Sequence, residues 1–276
     1  MKPLTASEVR ELCRRFEIRP SKALGQNFII DPNSIRKIVR RAGVGADEDV
    51  IEVGAGLGTL TSELASVARR VVAIELDRRL VEALTHRFAD TPNVTILAAD
   101  AMQVDYRTLT TGTAKFVANL PYNISTPLVA KILEEAPSIE MLSITVQKEA
   151  GERLVAPPGS RTYGAISVRV AYHCSARIVA SVSRSIFWPL PGVDSVVVEL
   201  KRRQPPVDID SDRLMKIVRA AFSQRRKTAR NSIASTLGIA IGQVTRALDE
   251  SRIDIRARAE SLSLDEFARI AGALTL

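Results

Sequence analysis

Val50-Ile51-Glu52-Val53-Gly54-Ala55-Gly56-Leu57-Gly58 is the stretch that decides the fold of this chain. Its first four residues read as a buried strand. Three glycines at alternate positions read as a turn, and residues 59–68 then read as a helix. A strand that passes through a glycine turn into a helix is the opening of a βαβ unit. Glycine in such a turn lets the backbone approach a ligand closely. The dinucleotide fingerprint G-x-G-x-x-G would place its third glycine at position 59, which is Thr59. No G-x-x-x-x-G-K-[ST] phosphate loop occurs either. The turn therefore need not serve a ligand that carries phosphates.

Downstream, Val71-Val72-Ala73-Ile74-Glu75 reads as a second strand, followed by a helix to about Phe88. Val94-Thr95-Ile96-Leu97 reads as a third, ending near Asp100; Phe116-Val117-Ala118 as a fourth; residues 141–146 as a fifth. Two more strands are expected at about 178–182 and 195–200. Strands alternating with helices predict a parallel sheet covered on both faces. Upstream, residues 1–24 are polar and mixed in charge, with helical spacing at Val9, Leu12, Cys13 and Phe16. Residues 25–30 read as a loop leading into a helix at about 32–42, with Asp31 as N-cap and Pro32 as first helical residue.

The strand ends carry the chemistry, because open α/β sheets bind ligands at the carboxyl edge of their strands. Glu75 ends the second strand, 19 residues after Gly56, where a carboxylate can accept both hydroxyls of a ribose. Asp100 ends the third and can take an adenine amino group. The competing reading is that both merely cap the helices that follow. The fourth strand runs into Asn119-Leu120-Pro121-Tyr122. Asn119 supplies an acceptor for an amine. Pro121 fixes the backbone so that a carbonyl, that of Leu120, is aimed as a second acceptor. Tyr122 offers a flat face for a base. Read alone, the same four residues also make a strand-ending turn with a core tyrosine. Taken together, the strand ends fit an adenosine without pyrophosphate, and S-adenosylmethionine answers that description.

The 276 residues suffice for one large domain and a small one. Apolar residues are 46% and charged residues 25%, ordinary for a soluble globular protein. No run approaches the ~18 apolar residues of a membrane span, and Met1-Lys2-Pro3-Leu4-Thr5 does not open as a signal peptide does. Cys13 and Cys174 are far apart and have no metal-ligand spacing, so neither disulfide nor metal is expected, and a reducing cytoplasm fits. His86 and His173 form no partner pattern and read as structural or surface residues. The net charge of +8 makes an acidic partner plausible without proving nucleic-acid binding.

Gln204-Pro205-Pro206 reads as a boundary between domains at 1–203 and 204–276. From Arg213 to Leu248 there are eight Lys or Arg and no Asp or Glu. Leu214, Ile217, Val218, Ala221 and Phe222 form one apolar stripe. Lys216, Arg219, Ser223, Arg226, Lys227 and Arg230 fall on another face. This predicts a helix that packs on one side and presents a positive row to phosphates on the other. A solvated charged face is the competing reading, weakened by the lack of balancing acids.

With these residues in hand, the chain resembles the ribosomal RNA adenine dimethyltransferases of the kasugamycin-sensitivity type, from about Leu24 to the C-terminus. The resemblance rests on Gly25-Gln26-Asn27-Phe28, the glycine turn, Glu75-Leu76-Asp77, Asp100-Ala101 and Asn119-Leu120-Pro121-Tyr122-Asn123-Ile124-Ser125. It continues in Gln147-Lys148-Glu149, Tyr163-Gly164, Phe187-x-Pro189-x-Pro191-x-Val193-Asp194-Ser195 and Phe222-Ser223-Gln224-Arg225-Arg226-Lys227. It implies a Rossmann-like S-adenosylmethionine-dependent methyltransferase fold, α/β, with a small C-terminal helical domain. By the same resemblance Asn27, Ile29, Gly54, Gly56, Glu75, Asp100 and Asn119 would contact the cofactor. Asn119 and Tyr122 would face the target adenine, with Leu120 and Pro121 completing the catalytic turn and Phe187 over the base's other face. Arg219, Arg225, Arg226, Lys227 and Arg230 would meet RNA. The implied activity is double N6 methylation of two neighbouring adenosines near the 3′ end of small-subunit rRNA, late in subunit assembly, by a monomer. The family usually has proline where this chain has Leu190 and a basic residue where it has Gly192. Three alternatives stand beside it: a macrolide-resistance-type methyltransferase of large-subunit rRNA, an assembly factor without catalysis and, more distantly, an NAD-linked oxidoreductase.

Overall fold

The computed structural model describes residues 2–21, 25–224 and 226–274. Its strands are β1 (Phe28–Ile29), β2 (Asp49–Val53), β3 (Arg70–Glu75), β4 (Val94–Ala98), β5 (Ala114–Asn119), β6 (Ile139–Gln147), β7 (Cys174–Val182), β8 (Phe187–Trp188) and β9 (Ser195–Arg202). The helices are α1 (Ala6–Arg15), α2 (Pro32–Ala42), α3 (Thr59–Ala65), α4 (Arg78–Arg87), α5 (Ser125–Glu135), α6 (Lys148–Leu154), α7 (Ala165–His173), α8 (Ser211–Phe222), α9 (Ala229–Leu237), α10 (Ile241–Glu250) and α11 (Leu264–Ala273).

The central sheet has the order β4-β3-β2-β5-β6-β9-β7. Its β4-β3-β2-β5-β6 part is parallel, and β9 joins β6 antiparallel. The order reverses at β2, whose neighbours are β3 and β5, so the ends of these three strands face one crevice. All five residues of β2 are buried, as a central parallel strand requires. This is the Rossmann-like fold that the family resemblance implies, and its parallel part is the sheet that the alternation of strands and helices predicts. Arg202 at the end of β9 donates to the carbonyls of Ile132, Leu133, Ala136 and Ile139. A cation there satisfies the orphan carbonyls at the C-terminus of α5 and complements its dipole.

Local signals hold where they have a mechanism. The Asp31 side chain accepts from Asn33 N and Ser34 N, Pro32 is the first residue of α2, and Gly43 ends it at φ 57°. The segment 25–30 departs from a plain loop, because Phe28 and Ile29 pair antiparallel with Trp188 and Phe187. Two residues of pairing carry no periodic signal of their own. No helix among the described residues is long and apolar enough to cross a membrane.

The chain divides into two compact units, residues 1–151 with 177–202, and residues 152–176 with 203–276. The proline-rich segment at 204–206 lies next to one crossing, but residues 152–176, assigned by the sequence to the first domain, pack in the second. Tyr163, Val168 and Tyr172 share a buried cluster with Leu214, Ile217 and Phe267. The Tyr163 hydroxyl donates to Leu262 O at 2.9 Å and that of Tyr172 to Ile209 O at 2.8 Å. Such long-range pairings leave no local trace in sequence.

The basic row of the second unit is not one helix. The helix α8 ends at Phe222, Thr228 caps α9, and Arg226 and Lys227 lie in the connection. Residues 223–228 contain no apolar side chain that could keep a helix stripe on the core. Arg219, Arg226 and Lys227 are exposed and Arg230 is half-buried, while Arg225 lies outside the described residues. Arg213 serves the fold, donating to Ala271 O and Leu274 O at the end of α11.

Candidate active site

The ends of β2, β3 and β5 and the segment 25–29 enclose a cavity of about 960 Å³, counted out to its open mouth. That is within the range of small-molecule sites. Asn27, Ile29, Gly54, Gly56, Glu75, Asp100, Asn119 and Pro121 all line it. Tyr122 and Leu120 adjoin the lining, and Phe187 stands away from it.

The glycine turn makes the cavity possible. Gly54 has φ 72°, and a Cβ there would stand 3.0 Å from Cδ of Pro121. The absent side chain therefore lets the Asn119–Tyr122 turn sit against the end of β2. Gly54 N and Ala55 N both donate to Ile74 O, at 2.9 and 3.3 Å. Gly56 N donates to Oε2 of Glu75 at 2.9 Å. Glu75 Oε1 accepts from Leu76 N at 2.8 Å and Asp77 N at 3.0 Å. Glu75 is thus a turn-former that lines the cavity, and it does not cap α4, whose N-cap is Asp77. Oε1 uses two acceptor positions and Oε2 one, so Oε2 keeps capacity for a hydroxyl. Burial raises the Glu75 pKa against the lowering effect of these N–H groups. Asp100 combines the same two roles, accepting from Met102 N at 2.9 Å while lining the cavity.

Asn119 holds the most telling atom. Its Nδ2 donates to Asn27 O at 3.1 Å, which fixes the amide's orientation, since only the NH₂ can donate to a carbonyl. The other end, Oδ1, is buried and has no partner. An orphan buried acceptor is costly, and it is left where a ligand amine can satisfy it. Leu120 N donates to Thr145 O and Ile124 N to Pro121 O, so the turn is held on both sides. The Tyr122 hydroxyl lies 3.1 Å from Ser195 Oγ and its ring is half-buried.

Phe187 does not fit the role the resemblance implies. It is 2% exposed and packs with Ile29, Val182 and Val197. Its pairing with Ile29 turns it into the core, away from the cavity lining. The departure at Gly192 is met within the same loop. Arg184 Nη1 donates to Gly192 O, and Asp194 Oδ1 accepts from Arg184 N at 2.9 Å. A guanidinium therefore stands beside the position where a basic side chain is usual. Leu190 is exposed.

The sequence reading missed Glu52, Gln26 and Asn123, all of which line the cavity. Glu52 is 1% exposed, with Oε2 unpartnered. Burial pushes its carboxyl up to about 8; the nearby Thr61 hydroxyl opposes the shift and the Glu75 carboxylate adds to it. The Thr61 oxygen lacks a partner of full hydrogen-bond geometry, so its opposition is weak. The available signal was a lone charge inside an apolar strand. Gln26 ties its loop to the start of α4, donating to Asp77 Oδ2 at 3.0 Å.

Among the described residues the lining includes three carboxyl groups and no Lys, Arg or His. A lining of acceptors with no cation among them suits a cationic, phosphate-free ligand and disfavours a dinucleotide. The acceptor-rich strand ends and the orphan Asn119 oxygen therefore fit S-adenosylmethionine and an adenine amine.

A family model described as ribosomal RNA adenine dimethylase matches residues 18–275. The chain is 43% identical to ribosomal RNA small subunit methyltransferase A of Thermobifida fusca, with 97% of this chain and 95% of that protein covered. It is 43% identical to the protein of the same name from Moorella thermoacetica, with 98% of both covered. Its structure is similar to a dimethyladenosine transferase from Plasmodium falciparum, with TM-score 0.73, 25% identity, and 87% and 94% of the two chains covered. It is also similar to the 23S rRNA methyltransferase ErmE, with TM-score 0.68, 27% identity, and 90% and 99% covered.

Proposed function

The chain belongs to the ribosomal RNA adenine dimethylase family, and from that premise we propose that this cavity dimethylates N6 of two adjacent adenosines near the 3′ end of small-subunit rRNA. S-adenosylmethionine, the cofactor of such enzymes, supplies a methyl group made electrophilic by its sulfonium. Glu75 Oε2 accepts from the ribose, Asp100 from the adenine amine of the cofactor, and the glycine turn and Asn27–Ile29 form the walls.

The observation that carries this reading is the unpaired Oδ1 of Asn119. Adenine N6 is a poor nucleophile because its lone pair is delocalised into the ring. Accepting one N–H at Asn119 Oδ1 and the other at Leu120 O favours a pyramidal nitrogen with a localised lone pair. The rate then comes from positioning and aimed dipoles, and no strong general base is required. Tyr122 offers its ring to the unstacked base. Unstacking costs a few kcal/mol, and stacking returns ~1–3 kcal/mol. A second aromatic face from Phe187 would require that ring to leave its apolar cluster. Arg219, Arg226, Lys227 and Arg230 contact phosphate, with Arg225 beside them in sequence. The protein acts as a monomer in the cytoplasm, on an assembling small subunit, without a metal.

The 43% relatives named for the small subunit favour this substrate over the large-subunit one suggested by the 27% structural neighbour. The deciding experiment is methyl transfer from labelled cofactor to isolated small and large ribosomal subunits, with mapping of the modified bases. Dimethyladenosine at two neighbouring small-subunit positions is expected. Label confined to the large subunit would support the macrolide-resistance reading, and no label on either would support an assembly factor without catalysis.

A further inference from the structure

A second concavity lies in the first unit, lined by Arg10, Cys13, Arg14, Glu17, Ile18, Arg19, Arg79 and Trp188. Four guanidinium groups and an indole meet there with a single carboxylate. Arg10 and Arg14 are one turn apart on α1, with Arg19 just beyond it. All three are exposed, and among the described residues none of them forms an ion pair. Arg79 comes from a different helix and donates to Glu17 O, so α4 and the end of α1 are tied across the groove.

Helix stability does not account for this cluster. Arg14 sits in the last turn of α1, where the dipole favours a cation, but Arg10 does not. Arg79 stands in the first turn of α4, where the dipole disfavours a cation, beside the N-cap Asp77, whose carboxylate accepts from Arg79 N at 3.0 Å. Four guanidinium groups against the single carboxylate of Glu17 leave the groove a net positive charge for an anion to balance. Cys13 at the floor is buried, with its thiol pushed up to about 11 by burial, so the groove presents charge and a ring rather than a nucleophile.

Trp188 sets the groove beside the reaction site. Its ring stacks on Phe28, with centroids 6.4 Å apart and planes 29° apart. Phe28 in turn lines the cofactor cavity, and a Cβ on Gly56 would touch its ring at 3.1 Å. One aromatic pair therefore separates groove from cavity. Guanidinium groups with an adjacent aromatic ring match the backbone and bases of single-stranded nucleic acid.

We propose that this groove binds the RNA strand flanking the target adenosine, with phosphates on Arg10, Arg14, Arg19 and Arg79 and a base against Trp188. The assignment rests on the RNA-methyltransferase reading above and adds to it a substrate surface in the catalytic unit. It leaves the target base in the cavity and holds its neighbours outside, beyond the Phe28–Trp188 pair.

Trp188 is the single tryptophan of the chain, which makes its emission a local reporter. The experiment titrates the full-length protein, saturated with S-adenosylhomocysteine, with a single-stranded RNA copy of the small-subunit 3′ end. Wild type and Arg10→Gln/Arg14→Gln/Arg19→Gln are compared at several salt concentrations, with heparin as a base-free polyanion. RNA is expected to change Trp188 emission and heparin is not. The triple variant is expected to bind at least tenfold more weakly, with a log K against log salt slope shallower by about 2–3, and with unchanged cofactor affinity. An unchanged slope and affinity in the variant, an unaltered emission on RNA binding, or equal emission changes from heparin and RNA would each overturn the proposal. Wild-type methylation of small subunits is measured alongside. If that fails, the parent reading fails; if it holds while the groove results are negative, only the groove assignment falls.

Discussion

The strand-end cavity and the basic stretch of the second unit are built on opposite principles. The cavity gathers carboxyl groups and an amide whose orientations are fixed by named backbone partners, and its described lining contains no Lys or Arg. The basic stretch gathers Arg219, Arg226 and Lys227, exposed and spread over a helix end and a connection. Among the described residues Arg226 and Lys227 make no ion pair. A small ligand is recognised by the position of single atoms in a low-dielectric site. A polyanion is recognised by the number of charges that replace its counterions. The first region should therefore be sensitive to single substitutions and tolerant of salt, and the second the reverse.

The largest expected effect tests how strongly the cavity perturbs its own groups. Glu52 holds its proton more tightly folded than unfolded, its carboxyl standing near 8 against an ordinary 4.5. Folding therefore takes up a proton between those values, and this contribution to stability is full below about 4.5, is lost as pH rises to about 8, and is flat above. The span is on the order of 3–5 kcal/mol at its upper limit. Glu52→Gln, neutral and of the same shape, should flatten the Tm profile across that window and be the more stable protein at pH 9. Superimposable pH profiles from scanning calorimetry would mean that Glu52 is ionised in the folded protein.

The next effect concerns one atom. Asn119→Ala removes the orphan acceptor and should lower single-turnover methylation by roughly 10²–10³-fold, the usual loss for one aimed polar group. RNA affinity should hardly move, and cofactor affinity should fall less than the rate, through loss of the tie to Asn27. Near-normal turnover on saturated substrate would remove Asn119 from the chemistry.

The smallest single-condition effect lies in the basic stretch. Arg226→Ala/Lys227→Ala/Arg230→Ala should weaken RNA binding by roughly tenfold at moderate salt and make the salt slope shallower by about 2–3. Cofactor affinity measured by calorimetry should stay as in wild type. A triple variant with an unchanged slope would place these side chains in water alone and erase the contrast between the two regions.

By itself the sequence determined the elements with local mechanisms. The run from Val50 through Gly58 determined a strand, a turn and a helix, because burial and positive φ leave few residue types free at those positions. Asp31, Pro32 and Gly43 bounded α2 for the same kind of reason. The strand-end positions of Glu75, Asp100 and Asn119 were legible, since a parallel sheet brings the ends of β3, β4 and β5 to one edge. Tertiary structure alone decided the rest. The pairing of Phe28–Ile29 with Phe187–Trp188 turned Phe187 into the core and put Trp188 on the wall between cavity and groove. It placed residues 152–176 with the C-terminal helices and left Glu52 without a partner beside Glu75. Each of these depends on contacts between residues distant in the chain, whose free energy no local pattern encodes.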